Sequence, residues 1–353
     1  MKNKIAIASA FLAAASFSTA EIVVNEFLSF EGFVDSSYSH TNSDEDAGGQ
    51  ESDNSFQVDQ VEISWMFNFD VVTAQIDLEY EDGDNEGGDI YDDEVEQAFV
   101  NYALGNGDVI TAGRYASMLG FEAFEPTGLY QYSTAYTIND VSGNSTVPQG
   151  FQGISEYVQG VKFTRTSDTT FFGISLQDQS FGTNAGRLGG DSNEAGEGDQ
   201  DDDSSYAVEV AGSIDLGNGF NLFAGVALED ADSGDNELFN FYATYETGAW
   251  LFAAELNVGE NEQLGALDDV DYSSGLLMAN YAYSDVASVT GRISMVEIET
   301  GADDYDFKKY TVAHNYALAD NLLLVAEISM GELEDDGDDY DITEFAVELL
   351  FTF

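Results

Sequence analysis

Apolar and polar side chains alternate along most of the chain. Val61, Ile63 and Trp65 are separated by Glu62 and Ser64, and similar alternation returns up to the C-terminus. A period of two predicts β-strands with one apolar and one polar face. The sixteen predicted strands span residues 24–34, 61–69, 72–80, 98–104, 108–115, 157–163, 170–176, 206–216, 220–228, 239–245, 250–258, 276–283, 289–295, 310–318, 322–330 and 345–353.

The connections between these strands alternate between short and long. Short polar turns are predicted near residue 70 and at 105–107, 166–168, 217–219, 247–248, 284–285 and 319–320. Long, acidic, Gly-rich connections are predicted at 35–55, 81–94, 117–155, 179–204, 229–237, 259–270, 299–306 and 331–341. This layout is typical of an outer-membrane barrel. We therefore predict an all-β fold, a transmembrane antiparallel barrel of about sixteen strands with short periplasmic turns and long acidic extracellular loops.

A soluble β-sandwich is the alternative fold, because it also buries one face of each strand. In lipid a sheet must close, since unpaired backbone N–H and C=O groups find no water there. Strand length, the regular connections and aromatic residues near strand ends favour the barrel, because interfacial girdles lie at those ends. These aromatic residues are Trp65, Phe69, Tyr80, Phe220, Trp250, Tyr310 and Phe353.

The first twenty residues have the pattern of a secretory signal peptide. Residues 1–4 are basic, 5–17 are apolar and 18–20 are small. This apolar run is shorter than the ~20 residues that a spanning helix needs. Cleavage after Ala20 is predicted, which leaves residues 21–353 as the barrel.

Composition excludes several classes of function. The chain has 68 acidic and 9 basic residues, a formal net charge of −59, which argues against a nucleic-acid partner. A hydrophobic content of 43% separates it from disordered acidic chains. The absence of Cys excludes disulfides and thiolate sites. Two His residues and no Ser-centred elbow motif indicate that the protein is not an enzyme.

Two short motifs resemble a known family. The terminal segment Glu348–Phe353 resembles the C-terminal signature of Gram-negative outer-membrane proteins, and Thr111–Glu122 is similar to a Gly-basic-aromatic and Gly-aromatic-Glu pattern of OmpL-like β-barrel porins. The resemblance implies a passive diffusion channel in the outer membrane for small hydrophilic solutes. It also implies outer-membrane lipid as a partner and a homotrimer as the assembly.

The longest predicted connection, residues 117–155, is a candidate constriction loop. In general porins the corresponding loop folds into the barrel. Here Glu122, Glu125 and Asp140 are expected to face the pore. Aromatic side chains at 121, 124, 130, 132 and 136 are expected to pack against the inner wall. The alternatives are an external lid, or two further strands around 129–136 that would give eighteen strands.

Charged residues on the polar strand face are predicted to line the pore. The acidic ones are Glu62, Asp77, Glu79, Glu209, Glu255, Glu327, Glu344 and Glu348, and the basic ones are Lys162 and Arg292. Arg114 is added by analogy with the family. Because negative potential in a narrow aqueous hole concentrates cations, we expect a cation-preferring channel. For any single residue, the alternative is a solvated wall position without a special role. Glu297 and His314 fall on the outward face, so they either lie at the membrane interface or mark an error in the predicted register.

Acidic loop clusters suggest weak calcium binding, and no other cofactor is predicted. Carboxylates spaced as in calcium-binding loops occur at Asp82, Asp84, Glu86, Asp93, Asp230, Asp232 and Asp235. The alternative is a hydrated acidic surface. A second function therefore stays open, a non-conducting barrel or secreted β-protein that binds calcium or a partner through these loops.

Overall fold

The protein is a closed antiparallel β-barrel. The computed structural model describes residues 21–45, 49–81, 93–137, 156–181, 206–231, 234–262, 269–300, 304–335 and 338–353. One short extra strand, β1 (Ile22–Val23), precedes the barrel. The sixteen barrel strands are β2 (Leu28–Glu45), β3 (Gly49–Phe69), β4 (Val72–Glu81), β5 (Asp93–Gly105), β6 (Asp108–Ala116), β7 (Tyr157–Thr166), β8 (Thr170–Gln177), β9 (Tyr206–Gly217), β10 (Phe220–Ala231), β11 (Gly234–Thr247), β12 (Trp250–Asn261), β13 (Val270–Ser284), β14 (Ala287–Thr300), β15 (Asp304–Ala319), β16 (Leu322–Asp335) and β17 (Asp338–Thr352).

Each barrel strand pairs with its neighbours in the chain, and the last strand closes the sheet against the first. β17 pairs with β2 from Tyr340 opposite Glu45 to Thr352 opposite Phe33. Beyond that ladder, the backbones of Gly32 and Phe353 exchange two hydrogen bonds of 2.9 Å. Closure removes the free edges that lipid could not satisfy. The predicted sixteen-strand barrel is confirmed, and residues 117–137 contain no strand, only a 3₁₀ turn at Pro126–Gly128.

The two faces of the strands follow the predicted alternation. On β12 the side chains of Phe252 and Leu256 are exposed on the outside, whereas Leu251, Glu255 and Asn257 are buried on the inside. An apolar outer surface is what a barrel presents to lipid. Among the described residues, no helix is long and apolar enough to cross a membrane.

Two polar residues predicted on the outer face lie there. Glu297 is exposed near the end of β14. His314 stacks on Tyr283 at 5.9 Å and on Tyr316 at 6.5 Å, and its Nε2 lies 2.7 Å from the Tyr283 hydroxyl. These rings lie toward the short turns, so they form part of an aromatic girdle at one interface.

Several connections predicted as long loops are instead continuations of strands. The predicted loop 35–55 is almost entirely β2 and β3, and only residues 46–48 between them lie outside the described part. The predicted loops 229–237, 299–306 and 331–341 are likewise largely strand, whereas in 259–270 only residues 259–261 and 270 are strand. The hydrophobic pattern did not predict these extensions because their side chains are mostly polar. Strands that pair beyond the bilayer need no apolar face. β3 has 21 residues, whereas ~9–11 span the membrane.

Two predicted short turns are Asn-Gly hairpins. In one, Asn218 and Gly219 have φ of 57° and 85°, values that suit a type I′ turn between twisted strands. A Cβ on Gly219 would lie 2.1 Å from the Glu246 carbonyl oxygen, whereas a Cβ on Gly217, with φ of 78°, would meet no atom within 4 Å. The turn therefore needs glycine at 219 for space and at 217 for backbone conformation alone.

We expect Gly219→Ala to destabilise the barrel more than Gly217→Ala. The change at 217 adds backbone strain of about 1–2 kcal/mol, and the change at 219 adds a backbone clash, for a total of roughly 2–3 kcal/mol. Urea unfolding of both variants after refolding into lipid vesicles measures the difference. Equal losses would contradict the steric argument.

Candidate pore constriction

A segment that follows β6 lies inside the barrel. Residues 117–137, called the inner loop here, make hydrogen bonds to inward-facing side chains of strands between β9 and β16. Because these strands form the far part of a closed wall, the inner loop crosses the barrel interior. The alternative of an external lid is therefore wrong for residues 117–137. The rest of the predicted loop, including Asp140, lies outside the described residues.

Acidic side chains of the inner wall hold the backbone of the inner loop. The three anchoring residues are Glu209, Glu255 and Glu327. In that order, their carboxylates accept hydrogen bonds of 2.6, 2.7 and 2.8 Å from the N–H groups of Met118, Phe121 and Tyr132. All three were predicted to face the barrel interior because they lie on the polar face of their strands. The structure adds that their carboxylates contact the loop.

Two buried basic residues hold the loop from the same wall. Arg292 forms an ion pair with Glu122 at 2.5 Å, and its Nη2 donates to the Thr134 carbonyl at 2.8 Å. Lys309 Nζ donates to the carbonyls of Thr134 and Thr137 at 3.2 and 2.8 Å. Both cations are almost completely buried. Both cations therefore bind the inner loop. Glu122, which was expected to face the pore freely, is instead paired with Arg292.

Aromatic side chains of the inner loop pack against the wall, as expected. The Phe121 ring lies 5.7 Å from the Tyr242 ring in an edge contact. The Tyr136 hydroxyl donates to Glu255 Oε2 at 2.8 Å. Burial, reinforced by the Glu255 charge, raises the pKa of Tyr136, so its hydroxyl stays protonated and can donate.

Acidic side chains gather on the wall formed by β3, β4 and β5. Glu62, Asp77 and Glu96 each place a carboxylate oxygen within 4.8 Å of the other two. Glu125 of the inner loop is close enough to repel all three. It accepts hydrogen bonds from the Tyr157 hydroxyl at 2.5 Å and the Gln60 amide at 3.0 Å. We call Glu62, Asp77 and Glu96 the acidic wall cluster.

Sequence reasoning missed Glu96 and Lys309. Glu96 precedes the predicted strand 98–104, and a register shift in the β4–β5 pairing, a β-bulge, turns it inward beside Asp77. A bulge cannot be read from alternation alone. Lys309 could have been found, because it continues the inward set of the predicted strand 310–318 by one position.

The other predicted pore residues lie on the inner wall or near the loop. Glu79 is opposite Glu62 in the β3–β4 register and accepts a hydrogen bond from Gln60. The Lys162 ammonium lies 4.2 Å from the centre of the Tyr115 ring and donates to the Ala116 carbonyl. Glu344 and Glu348 are on the inward set of β17, and Glu348 is buried.

Arg114, which was predicted to face inward by analogy with the family, lies next to Tyr157, the residue whose hydroxyl donates to Glu125 of the inner loop. Its guanidinium carbon is 5.9 Å from the Tyr157 ring centre, and its Nη1 donates to the Val95 carbonyl at 3.3 Å. Among the described residues the ion pairs are Arg165–Asp108 and Arg292–Glu122, so Arg114 pairs with no described carboxylate.

The predicted calcium ligands are only partly described. Asp82, Asp84, Glu86 and Asp232 lie outside the described residues. Asp93 begins β5, so it belongs to a strand rather than to the predicted loop 81–94. Asp230 and Asp235 lie opposite each other on β10 and β11, again in strands, and Asp230 accepts a hydrogen bond from the Tyr206 hydroxyl at 2.9 Å.

A family comparison identifies the type of barrel. A family model described as "Putative beta-barrel porin-2, OmpL-like" matches residues 28–353. The chain belongs to this family. The protein is therefore a β-barrel porin of the outer membrane, in agreement with its closed sheet and apolar outer surface. No protein with a curated description matches the chain in sequence.

Solved porins share the fold of this OmpL-like porin at low sequence identity. The outer membrane channel DcaP of Acinetobacter baumannii has a TM-score of 0.64 at 13% identity, covering 92% of this chain and 97% of that one. The in-vitro folded trimer form of OmpT of Vibrio cholerae has a TM-score of 0.59 at 13% identity, covering 92% and 99%. An anion-selective porin from Comamonas acidovorans has a TM-score of 0.58 at 13% identity, covering 92% and 99%.

We expect Arg292→Met to loosen the inner loop and destabilise the porin. The change leaves Glu122 without its countercharge in a buried site, which costs about 3–5 kcal/mol. Urea unfolding in lipid vesicles measures the loss, and hydrogen–deuterium exchange should rise in residues 117–137.

The control is Arg165→Met, which removes the other ion pair. Arg165 is largely exposed, so water already screens its pair with Asp108. The control should leave unfolding and exchange close to wild type. Similar behaviour of the two variants would contradict the anchoring role of Arg292.

Proposed function

We propose that this porin conducts small hydrophilic solutes and prefers cations, with the inner loop as its constriction. The main support is the distribution of unpaired charge inside the barrel. Arg292 and Lys309 donate hydrogen bonds to backbone carbonyls of the inner loop. In contrast, no described Lys or Arg forms an ion pair with the acidic wall cluster or with Glu125. The four carboxyl groups beside the loop therefore outnumber Arg114, the unpaired described cation on that side, and this excess supports a negative potential there.

Negative charge at a narrow point favours cations over anions. Low-dielectric walls focus the field of fixed charges into the aqueous path. Salt screens this field over ~8 Å at physiological ionic strength, so charges at the constriction matter more than those in the wide mouths. Glu125 belongs to the loop that crosses the barrel, which makes its charge the best placed to act on passing ions.

The preference has to be argued from this chain's own residues. A porin described as anion-selective has the same fold, so the architecture does not set the sign of the transported ion. Ring and loop charges set that sign.

Neutralising Glu125 should weaken the cation preference. For Glu125→Gln in planar bilayers, we expect the ratio of potassium to chloride permeability to fall by up to about fivefold, because a unit charge ~4 Å from an ion in water contributes about 1 kcal/mol. The measurement is the reversal potential in a potassium chloride gradient containing EDTA.

Glu297→Gln is the matched control, since it removes the same charge from the outer face. It should keep the wild-type ratio. Anion selectivity of the wild type would overturn the charge argument, and failure of liposomes to swell in small sugars would overturn conduction itself.

We also propose a homotrimer, on the support of the trimer form reported for OmpT. A closed cyclic arrangement of three copies is one of the point groups open to a membrane barrel. Native mass spectrometry of the detergent-extracted porin should give three times the mass of one chain. A monomer that persists in several mild detergents would contradict the proposal.

A further inference from the structure

The acidic wall cluster has the geometry of a divalent-cation site. Glu62, Asp77 and Glu96 come from the adjacent strands β3, β4 and β5, and their nearest oxygens all lie within 4.8 Å of one another. Calcium binds oxygen ligands at 2.3–2.6 Å, so two ligands on opposite sides of one ion lie roughly 4.6–5.2 Å apart. Three oxygens at the full 4.8 Å separation lie about 2.8 Å from their common centre, so a single calcium ion contacts all three carboxylates after an inward shift of a few tenths of an ångström.

Within the described residues, two buried carboxylate oxygens of the cluster accept no hydrogen bond. Glu62 and Glu96 are 6% and 4% exposed, and Asp77 is 0% exposed. Glu62 Oε1 accepts from the Ser64 hydroxyl, but the Oε2 atoms of Glu62 and Glu96 have no hydrogen-bond partner. Buried oxygens without a donor are costly, and such groups call for a specific explanation. A bound cation would satisfy both.

No basic side chain of the described residues forms an ion pair with the cluster. Arg114 is the cation beside this wall, but it lies against Tyr157 and donates to Val95, and it forms no ion pair with a described carboxylate. Buried charges in proteins are paired or coordinate metals. Three carboxylates without a Lys or Arg partner are therefore either protonated or bound to a cation.

We propose that Glu62, Asp77 and Glu96 bind one calcium ion on the inner wall. The ligands are hard oxygens, and water from the channel can complete the six to eight positions that calcium takes. The three ligands are strand residues on the barrel wall and are not members of the acidic loop clusters considered above. Glu125 approaches it from the inner loop, so the ion links the charge of the wall to the loop.

Calcium titration calorimetry on the folded porin in detergent tests the site. Salt at about 0.15 M reduces weak binding by exposed carboxylates, because the Debye length is then ~8 Å. We expect one saturable site in the wild type, weakened at least tenfold in Glu96→Gln and in Glu62→Gln. The matched control is Glu229→Gln, a buried inward glutamate on the remote strand β10, which should bind like the wild type.

The outcomes separate calcium binding from proton sharing. If the carboxylates hold protons instead, the wild type has no saturable site, or Glu96→Gln binds as tightly as the wild type, and either result overturns the proposal. Binding of magnesium chloride in place of calcium chloride would overturn the choice of metal. Should the variants fail to fold, wild-type crystals soaked in terbium chloride decide: a peak bonded to Glu62, Asp77 and Glu96 supports the site, and its absence overturns it.

Bound calcium is also expected to reduce the cation preference of the wild type but not that of Glu96→Gln, because it cancels charge beside Glu125. This second consequence rests on the proposed function. Calorimetry in detergent does not depend on conduction, so intact binding without a change in reversal potential would count against the selectivity argument and not against the site.

Discussion

Backbone hydrogen bonding in lipid is the constraint on which the rest of this porin depends. A peptide group without a partner cannot be solvated in the bilayer, so every strand must pair on both sides and the sheet must close. β17 meets β2 to complete that circle. Closure then gives each strand a lipid face and an inner face, and the period-two pattern follows from it. The polar interior is thus a consequence of the same constraint.

A sixteen-stranded barrel encloses more space than wall side chains fill, and the protein places part of its own chain there. The inner loop would leave many N–H and C=O groups unsatisfied if it only packed on apolar residues. Wall glutamates accept from its amides, and Arg292 and Lys309 donate to its carbonyls. Charged residues on the inner face thus fall into two groups, since some hold the loop and others lie on the wall without a basic partner among the described residues.

Alternation was enough to predict the strand number, the face of most residues and the place along the chain of the long connection after β6. The path of that connection into the barrel was expected only from the resemblance to porins. The alternation pattern gave wrong predictions where the backbone forms a strand although its side chains do not alternate between apolar and polar. Polar hairpins such as β2–β3 continue beyond the bilayer without an apolar face, and the bulge that turns Glu96 inward leaves no trace in the pattern. Which carboxylates bind the loop depends on the path of residues 117–137 through the barrel, and periodicity within strands carries no information about that path.

Counting charges therefore gives a poor measure of the field inside this barrel. Glu209, Glu255 and Glu327 are bound to loop amides, and Glu122 is neutralised by Arg292. Carboxyl groups without such partners among the described residues lie together on the wall of β3 to β5. A buried acidic group without a basic neighbour either takes up a proton or attracts a cation. The same excess of carboxylates that favours the passage of cations thus also favours a bound cation. These two effects oppose each other, because a bound divalent ion cancels part of the negative charge that attracts the passing cations.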